Sequence, residues 1–197
     1  VTMARQAIEI SQSGRPGPVV VVMPRDFGET KIDEDIETRP YERKQVLSAQ
    51  NSLNELIDGL NKSVKPILLA GELARGENVR DLLVKLSDRL GAPVISAYRC
   101  QDVVENYHPC YAGHLEINPV EYQDKLLKES SFIAVLGSRL DGITSREETL
   151  IKNNDEWAHI HPDNIVLKRF RSNISVQSDV APLLTDIMDR IEQKDHK

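Results

Sequence analysis

The sequence predicts an α/β fold: a doubly wound parallel sheet with helices on both faces. Two observations carry that expectation. Apolar runs of about four or five residues with no polar alternation recur along the chain, as strands covered on both faces require. Between them, apolar residues recur at helical spacing, with proline or glycine marking many of the boundaries.

Taken in order, Ala4, Ala7 and Ile8 mark a helical face already under way at residue 1, so the chain reads as starting inside a domain. The turn cluster Ser13-Gly-Arg-Pro-Gly-Pro18 leads into Val19-Val-Val-Val-Met23, a β-branched run expected as a buried strand. Residues 29–45 are charged, contain Pro40, show neither period and read as a linker. Leu53, Leu56, Ile57 and Leu60 then open the main domain, 46–197, with an amphipathic helix.

Pro66 stops that helix, Ile67-Leu-Leu-Ala70 is apolar throughout, and Gly71 ends the run where the backbone must turn. Val79, Leu82, Leu83, Leu86 and Leu90 share a helix face closed by Gly91, and Pro93-Val-Ile-Ser96 begins a second strand, completing a right-handed β-α-β unit. Ala97 to Pro109 reads as loop with a short helical turn. Asn118-Pro119 is expected to cap a helix whose buried face is Tyr122, Leu126 and Leu127. Phe132-Ile-Ala-Val-Leu136, Trp157-Ala-His-Ile-His161 and Ile174-Ser-Val-Gln177 are the third, fourth and fifth strands. Ser178 or Asp179 caps a last helix facing inward with Val180, Leu183, Leu184, Ile187, Met188 and Ile191, and the tail from Glu192 to Lys197 is expected to fray.

Composition narrows the partners. Acidic residues outnumber basic ones 31 to 25, with no basic block, which argues against nucleic acid and against an anionic membrane surface. No apolar run approaches the roughly 18 residues of a spanning helix and no leader pattern opens the sequence, so a cytoplasmic location is expected. Cys100 and Cys110 lack metal-site spacing and read as two reduced thiols.

In a doubly wound fold ligands sit beyond the carboxyl ends of the strands, where strand order reverses. The candidate binding residues are therefore Gly71 and Glu72, Gly137, Ser138 and Arg139, and His161 with Asp163; Ser96 and Ala97 end the second strand. Gly137-Ser-Arg139 can pair with a phosphate or be a tight turn, and Asp163 can accept from a ribose hydroxyl or make a turn, which the sequence favours. His159 and His161 point the same way along a strand with no third ligand near. Glu105, His108 and His114 read as surface loop residues. The sequence holds no G-x-G-x-x-G: Gly71-Glu-Leu-Ala-Arg-Gly76 spaces its glycines too widely for a dinucleotide turn. No catalytic residue and no metal ligand is assigned.

Several pieces together resemble the acetolactate synthase and pyruvate oxidase group of thiamine diphosphate-dependent enzymes. Ser13 through Asp26 resembles the segment that closes their pyrimidine-binding domain. Lys65-Pro-Ile-Leu-Leu-Ala-Gly71 and Leu90-Gly-Ala-Pro-Val94 are similar to the first two strands of their central domain. His108-Pro-Cys-Tyr-Ala-Gly-His114, Phe132 to Leu140 and His159-Ile-His-Pro-Asp163 follow in the family's order. The resemblance implies that residues 1–28 are the C-terminal tail of a pyrimidine-binding domain and 46–197 a Rossmann-like central domain.

By the same resemblance, the glutamate that activates the cofactor lies upstream and the G-D-G…N motif that holds magnesium and diphosphate lies in a third domain. Asp141-Gly142 does not match that motif. Thiamine diphosphate and Mg2+ are thus expected outside this segment, which would be non-catalytic alone, within a parent that makes or breaks a carbon-carbon bond in a 2-oxo acid. Its partners would be the other two domains of the parent chain, in a homodimer or homotetramer. Some relatives carry FAD on the central domain, and Arg139 matches their arginine. Gly71-Glu72-Leu73 replaces their glycine-rich loop, and Gly113-His-Leu-Glu-Ile-Asn-Pro119 departs from the G-M-H-G-T pattern, so FAD binding is expected to be weak or absent. The alternatives are a stand-alone module holding ADP, CoA or a flavin at Gly71, Gly137 and Arg139, and a purely structural domain.

Overall fold

Alternate residues of each strand point to opposite faces, and in the interior strands both faces are buried, so those strands seek cover on two sides. The computed structural model of the chain describes residues 2–29, 31, 42–152 and 156–194, in two units, 1–45 and 46–197. The second is a six-stranded, all-parallel sheet with order β3-β2-β1-β4-β5-β6. Its strands are β1 (Pro66–Ala70), β2 (Val94–Ser96), β3 (Tyr111–His114), β4 (Phe132–Leu136), β5 (Trp157–Ile160) and β6 (Ile174–Val176).

In the first unit, α1 (Thr2–Gln12) buries none of its residues and a 3-10 turn spans Arg25–Glu29. Val19–Met23 is not the buried strand its composition suggests. The segment has no regular structure, and Val20 and Val22 are 85% and 80% exposed. A strand is made by a neighbour that completes its backbone ladder, and the described part of this unit offers none. Most of the segment expected as linker, Pro40 included, lies outside the described residues, as does the end of the tail at 195–197.

In the second unit, α2 (Gln50–Lys62), α3 (Glu77–Leu90) and α7 (Val180–Met188) cover one face of the sheet. Leu56, Leu60, Leu83, Leu86, Leu183 and Ile187 pack there on Leu68, Val94, Phe132, Ala134 and Leu136. The opposite residues of the same strands, Ile67, Leu69, Ile95, Ile133 and Val135, meet Leu115, Leu140, Trp157, Phe170 and Leu127 of α4 (Glu121–Glu129). Each fully buried leucine is worth about 1.5–3 kcal/mol over its exposed state, and both faces are filled with them.

Two helices have no counterpart in the sequence reading, α5 (Thr149–Lys152) and α6 (Asn164–Arg169), and β3 stands just beyond the Ala97–Pro109 loop, where no strand is expected. The helix start at Asn118 moves to Val120, and Tyr122 is 51% exposed while Gln123 takes the buried position. Gln123 Nε2 donates to Ala112 O at 3.0 Å and His114 O at 3.1 Å, fastening α4 to edge strand β3.

The first and last helices of this unit are joined at both ends. Val46 N donates to Asp179 Oδ2 at 2.9 Å and Asp179 N returns a bond to Val46 O at 2.8 Å, so Asp179, at the N-cap of α7, spends its carboxylate on the segment before α2. Beyond α7, Lys194 Nζ donates to Leu60 O at 2.8 Å and to Ser63 O, closing over the end of α2.

Candidate functional site at the strand-order reversal

β1 and β4 lie side by side and their chains leave in opposite directions, which is where an open α/β sheet offers a crevice. The carboxyl ends of both strands are tied to each other by backbone. Gly71 N donates to Leu136 O at 2.9 Å and Leu73 N donates to Gly137 O at 3.0 Å. Gly71 is extended, with φ −106°, so its lack of a side chain answers a demand for space. A Cβ there would meet Ser138 Cα and Cβ at 2.4 Å. Gly137 has φ +65°, and a Cβ there would meet Leu73 Cβ and Val180 Cγ2 at 2.8 Å. Both glycines accommodate a crossing of the chain over itself.

Ser138 is 1% exposed, its Oγ accepting from Leu140 N at 3.1 Å. Its carbonyl oxygen accepts from His159 Nε2 at 2.8 Å; a carbonyl only accepts, so the ring proton sits on Nε2. His159 is fully buried among Trp157, Phe170 and His161, with ring centroids 5.7, 6.1 and 6.2 Å away. Burial lowers its pKa to about 4, against the opposing effect of the hydrogen bond it donates to the Ser138 carbonyl, and His161 adds to the lowering. The imidazole is therefore neutral at physiological pH.

His161, also fully buried, takes Asp163 N on Nδ1 at 3.0 Å, while its own backbone N donates to Val176 O at 3.1 Å. Asp163 is the N-cap of α6, its Oδ1 accepting from Ile165 N at 2.8 Å. Glu72 begins the 3-10 turn Glu72–Ala74, half-buried, and Arg139 stands exposed between buried Ser138 and Leu140. Gly71, Gly137 and Ser138 thus come together in one backbone junction; His161 and Asp163 lie one strand further along.

A second device at this end of the sheet left no pattern in the sequence. Arg75 Nε lies 3.0 and 2.9 Å from the two carboxylate oxygens of Asp102, and Arg75 Nη2 donates to Arg99 O at 2.6 Å. Arg80 Nη2 donates to Asp102 O at 2.7 Å. This clamp joins the loop after β1 to the loop after β2, and the hydrogen bond to Asp102 raises the Arg75 pKa. Beside it Cys100 is 3% exposed, its thiol pushed up to about 11 by burial. Of the remaining candidates, His114 pairs with Glu116 at 2.8 Å, His108 contacts Cys110, and Glu105 is exposed. Among the described residues no three His, Cys, Asp or Glu side chains gather as a cation site, and none of their helices is long and apolar enough to cross a membrane.

Comparison with known proteins places this architecture. The chain is 25% identical to the acetolactate synthase of Arthrospira platensis over 198 residues, 94% of this chain and 34% of that protein. It is 25% identical to the acetolactate synthase isozyme 1 large subunit of Escherichia coli (strain K12) over 190 residues, 94% of this chain and 33% of that protein. The chain thus spans about a third of the length of these curated relatives. Benzoylformate decarboxylase from Polynucleobacter necessarius has the same fold: TM-score 0.77 at 18% identity, over 99% of this chain and 37% of that one. Residues 53–187, most of the chain, match the family described as the thiamine pyrophosphate enzyme, central domain, and the chain belongs to that family.

Proposed function

We propose that this chain is the structural centre of a longer thiamine diphosphate-dependent enzyme of the acetolactate synthase type, which makes or breaks a carbon-carbon bond beside the carbonyl of a 2-oxo acid. The two glycines at the strand-order reversal carry the reading of the centre as structural: Ser138, Leu73 and Val180 crowd Gly71 and Gly137, so the missing side chains serve the packing of the chain on itself. In this reading FAD binding is weak or absent, and the domain acts by holding its neighbours. In this reading 1–28 is the tail of the pyrimidine-binding domain, 29–45 the linker and 46–197 the central domain. Thiamine diphosphate and Mg2+ are held by the other two domains of the parent, a cytoplasmic homodimer or homotetramer.

The test is to express the complete reading frame beside this chain and follow 2-oxo acid consumption with and without thiamine diphosphate and Mg2+. Cofactor-dependent turnover by the whole and none by the part is expected; turnover by the part, or none by the whole, overturns the proposal. The exposed Arg139 favours a second reading, a nucleotide module for ADP, CoA or a flavin using Gly71, Glu72, Gly137, Ser138, Arg139, His161 and Asp163. A melting temperature raised by several degrees in micromolar FAD, ADP or CoA, and not in the Arg139→Ala variant, would establish that reading instead.

A further inference from the structure

On the opposite side of β2 from β1, a nucleophile and a base stand together with no part in the reading above. His108-Pro109-Cys110 forms the turn into β3: His108 N donates to Glu105 O at 3.0 Å and Tyr111 N to His108 O at 2.9 Å. Pro109 fixes its own φ, and the turn sets the imidazole over the thiol. His108 Nδ1 lies 3.0 Å from Cys110 Sγ, and the backbone N of Cys110 donates to the same nitrogen at 3.3 Å. With an N–H pointed at it, Nδ1 is an unprotonated acceptor, and the thiol S–H is the second donor sharing its lone pair.

Cys110 is half-buried at the mouth of a pocket of about 310 Å³ between the end of α3 and the start of β2. Ala92, Pro93 and Pro109 give it apolar walls, and Ser87 and Asp88 are its polar lining. Burial raises the Cys110 pKa, the Ser87 hydroxyl opposes that and Asp88 adds to it. The resting group is consequently a thiol, whose attack on an electrophile requires a base in contact. Cys100, 3% exposed, offers no comparable access.

We propose that Cys110 is a thiol–disulfide exchange site with His108 as its general base, and that it takes small, uncharged or cationic disulfides. As Sγ attacks one sulfur of the incoming disulfide, Nδ1 takes the Sγ proton. The incoming S–S bond breaks, a mixed disulfide forms on Cys110, and the leaving thiolate takes the proton back from the imidazolium. The disulfide is the only oxidant consumed. Asp88 at the rim disfavours an anionic reagent and tolerates a cationic one.

The experiment measures modification of the full chain by the neutral probe 4,4′-dithiodipyridine, following released thiopyridone by absorbance and locating the adduct by mass. Cationic cystamine and anionic 3,3′-dithiodipropionate are compared in parallel. One adduct per chain on Cys110 is expected, none in Cys110→Ser, and cystamine faster than the dianion. His108→Gln is expected to slow the reaction about tenfold or more at pH 7 and to restore the steep rise of rate with pH that an unassisted thiol shows. Circular dichroism verifies that the variants fold. A His108→Gln rate equal to or above the wild type shows that the ring merely covers the sulfur and overturns the proposal; so does a first adduct on Cys100.

Discussion

Gly71→Ala tests the junction at the strand-order reversal directly. The new methyl would stand 2.4 Å from Ser138 Cα and Cβ and 2.6 Å from Ser138 N, where ordinary contact begins near 3.4 Å. Two of those three atoms are backbone, so no rotamer change relieves the clash, and Ser138 must retreat by about 1 Å. That motion strains or breaks the Gly71 N to Leu136 O and Leu73 N to Gly137 O bonds, each worth about 0.5–1.5 kcal/mol net. Overpacking adds about 1–3 kcal/mol. Because φ at Gly71 suits any residue, no backbone penalty enters, and the expected loss is about 2–4 kcal/mol, or roughly 5–15 °C in Tm for a domain of this size. Urea and thermal unfolding by circular dichroism measure it, with Gly17→Ala, whose methyl would meet nothing within 4 Å, as the control. A loss below about 0.5 kcal/mol would refute the packing account and return Gly71 to the role of a ligand-facing glycine.

Three further outcomes follow from the same geometry. His159 has a folded pKa of about 4 against an ordinary 6.5, so its neutral form is favoured on folding; stability is full above pH 6.5 and falls by roughly 3 kcal/mol as pH drops toward 4. Urea titrations at pH 7.5, 6 and 5 should show that slope flattened in His159→Gln, and an unchanged slope would contradict the assignment. Gln123→Ala removes two bonds to β3, costs about 1–3 kcal/mol, and should speed hydrogen exchange at Leu115 and Val94 while leaving β1 amides protected. Asp163→Ala should lose about 1 kcal/mol through the cap of α6, most of it restored in Asp163→Asn; equal stability of alanine and wild type counts against the cap.

The central strands were legible because burial on both faces leaves no polar residue to interrupt Ile67–Ala70 or Phe132–Leu136. Edge strand β3 was not, since Tyr111, Ala112, Gly113 and His114 are all half-buried and the strand is fastened at Ala112 and His114 by Gln123 of the following helix. α6 hid behind Asp163, whose local carboxylate bond serves a turn and a helix start equally well. The valines at 19–22 gave the opposite error, for β-propensity reports fitness for a sheet and cannot supply the neighbouring strand. At the site, the sequence marked Gly71 and Gly137 but not what fills the space around them. A missing side chain looks the same whether a ligand or the chain itself comes close, and Ser138, Leu73 and Val180 are brought there by three different elements.

The bonds that join Val46 to Asp179, and Lys194 to Leu60 and Ser63, bear on the mechanics of the molecule. A pull applied through residues 46 and 194 meets the seam between α2 and α7 before it reaches any strand. The ladders of the sheet lie outside that force path, with β1 and β4, the most interior pair, shielded furthest. Under tension the domain should yield in steps, its outer helices peeling away at low force while the β-α-β centre persists as a compact intermediate.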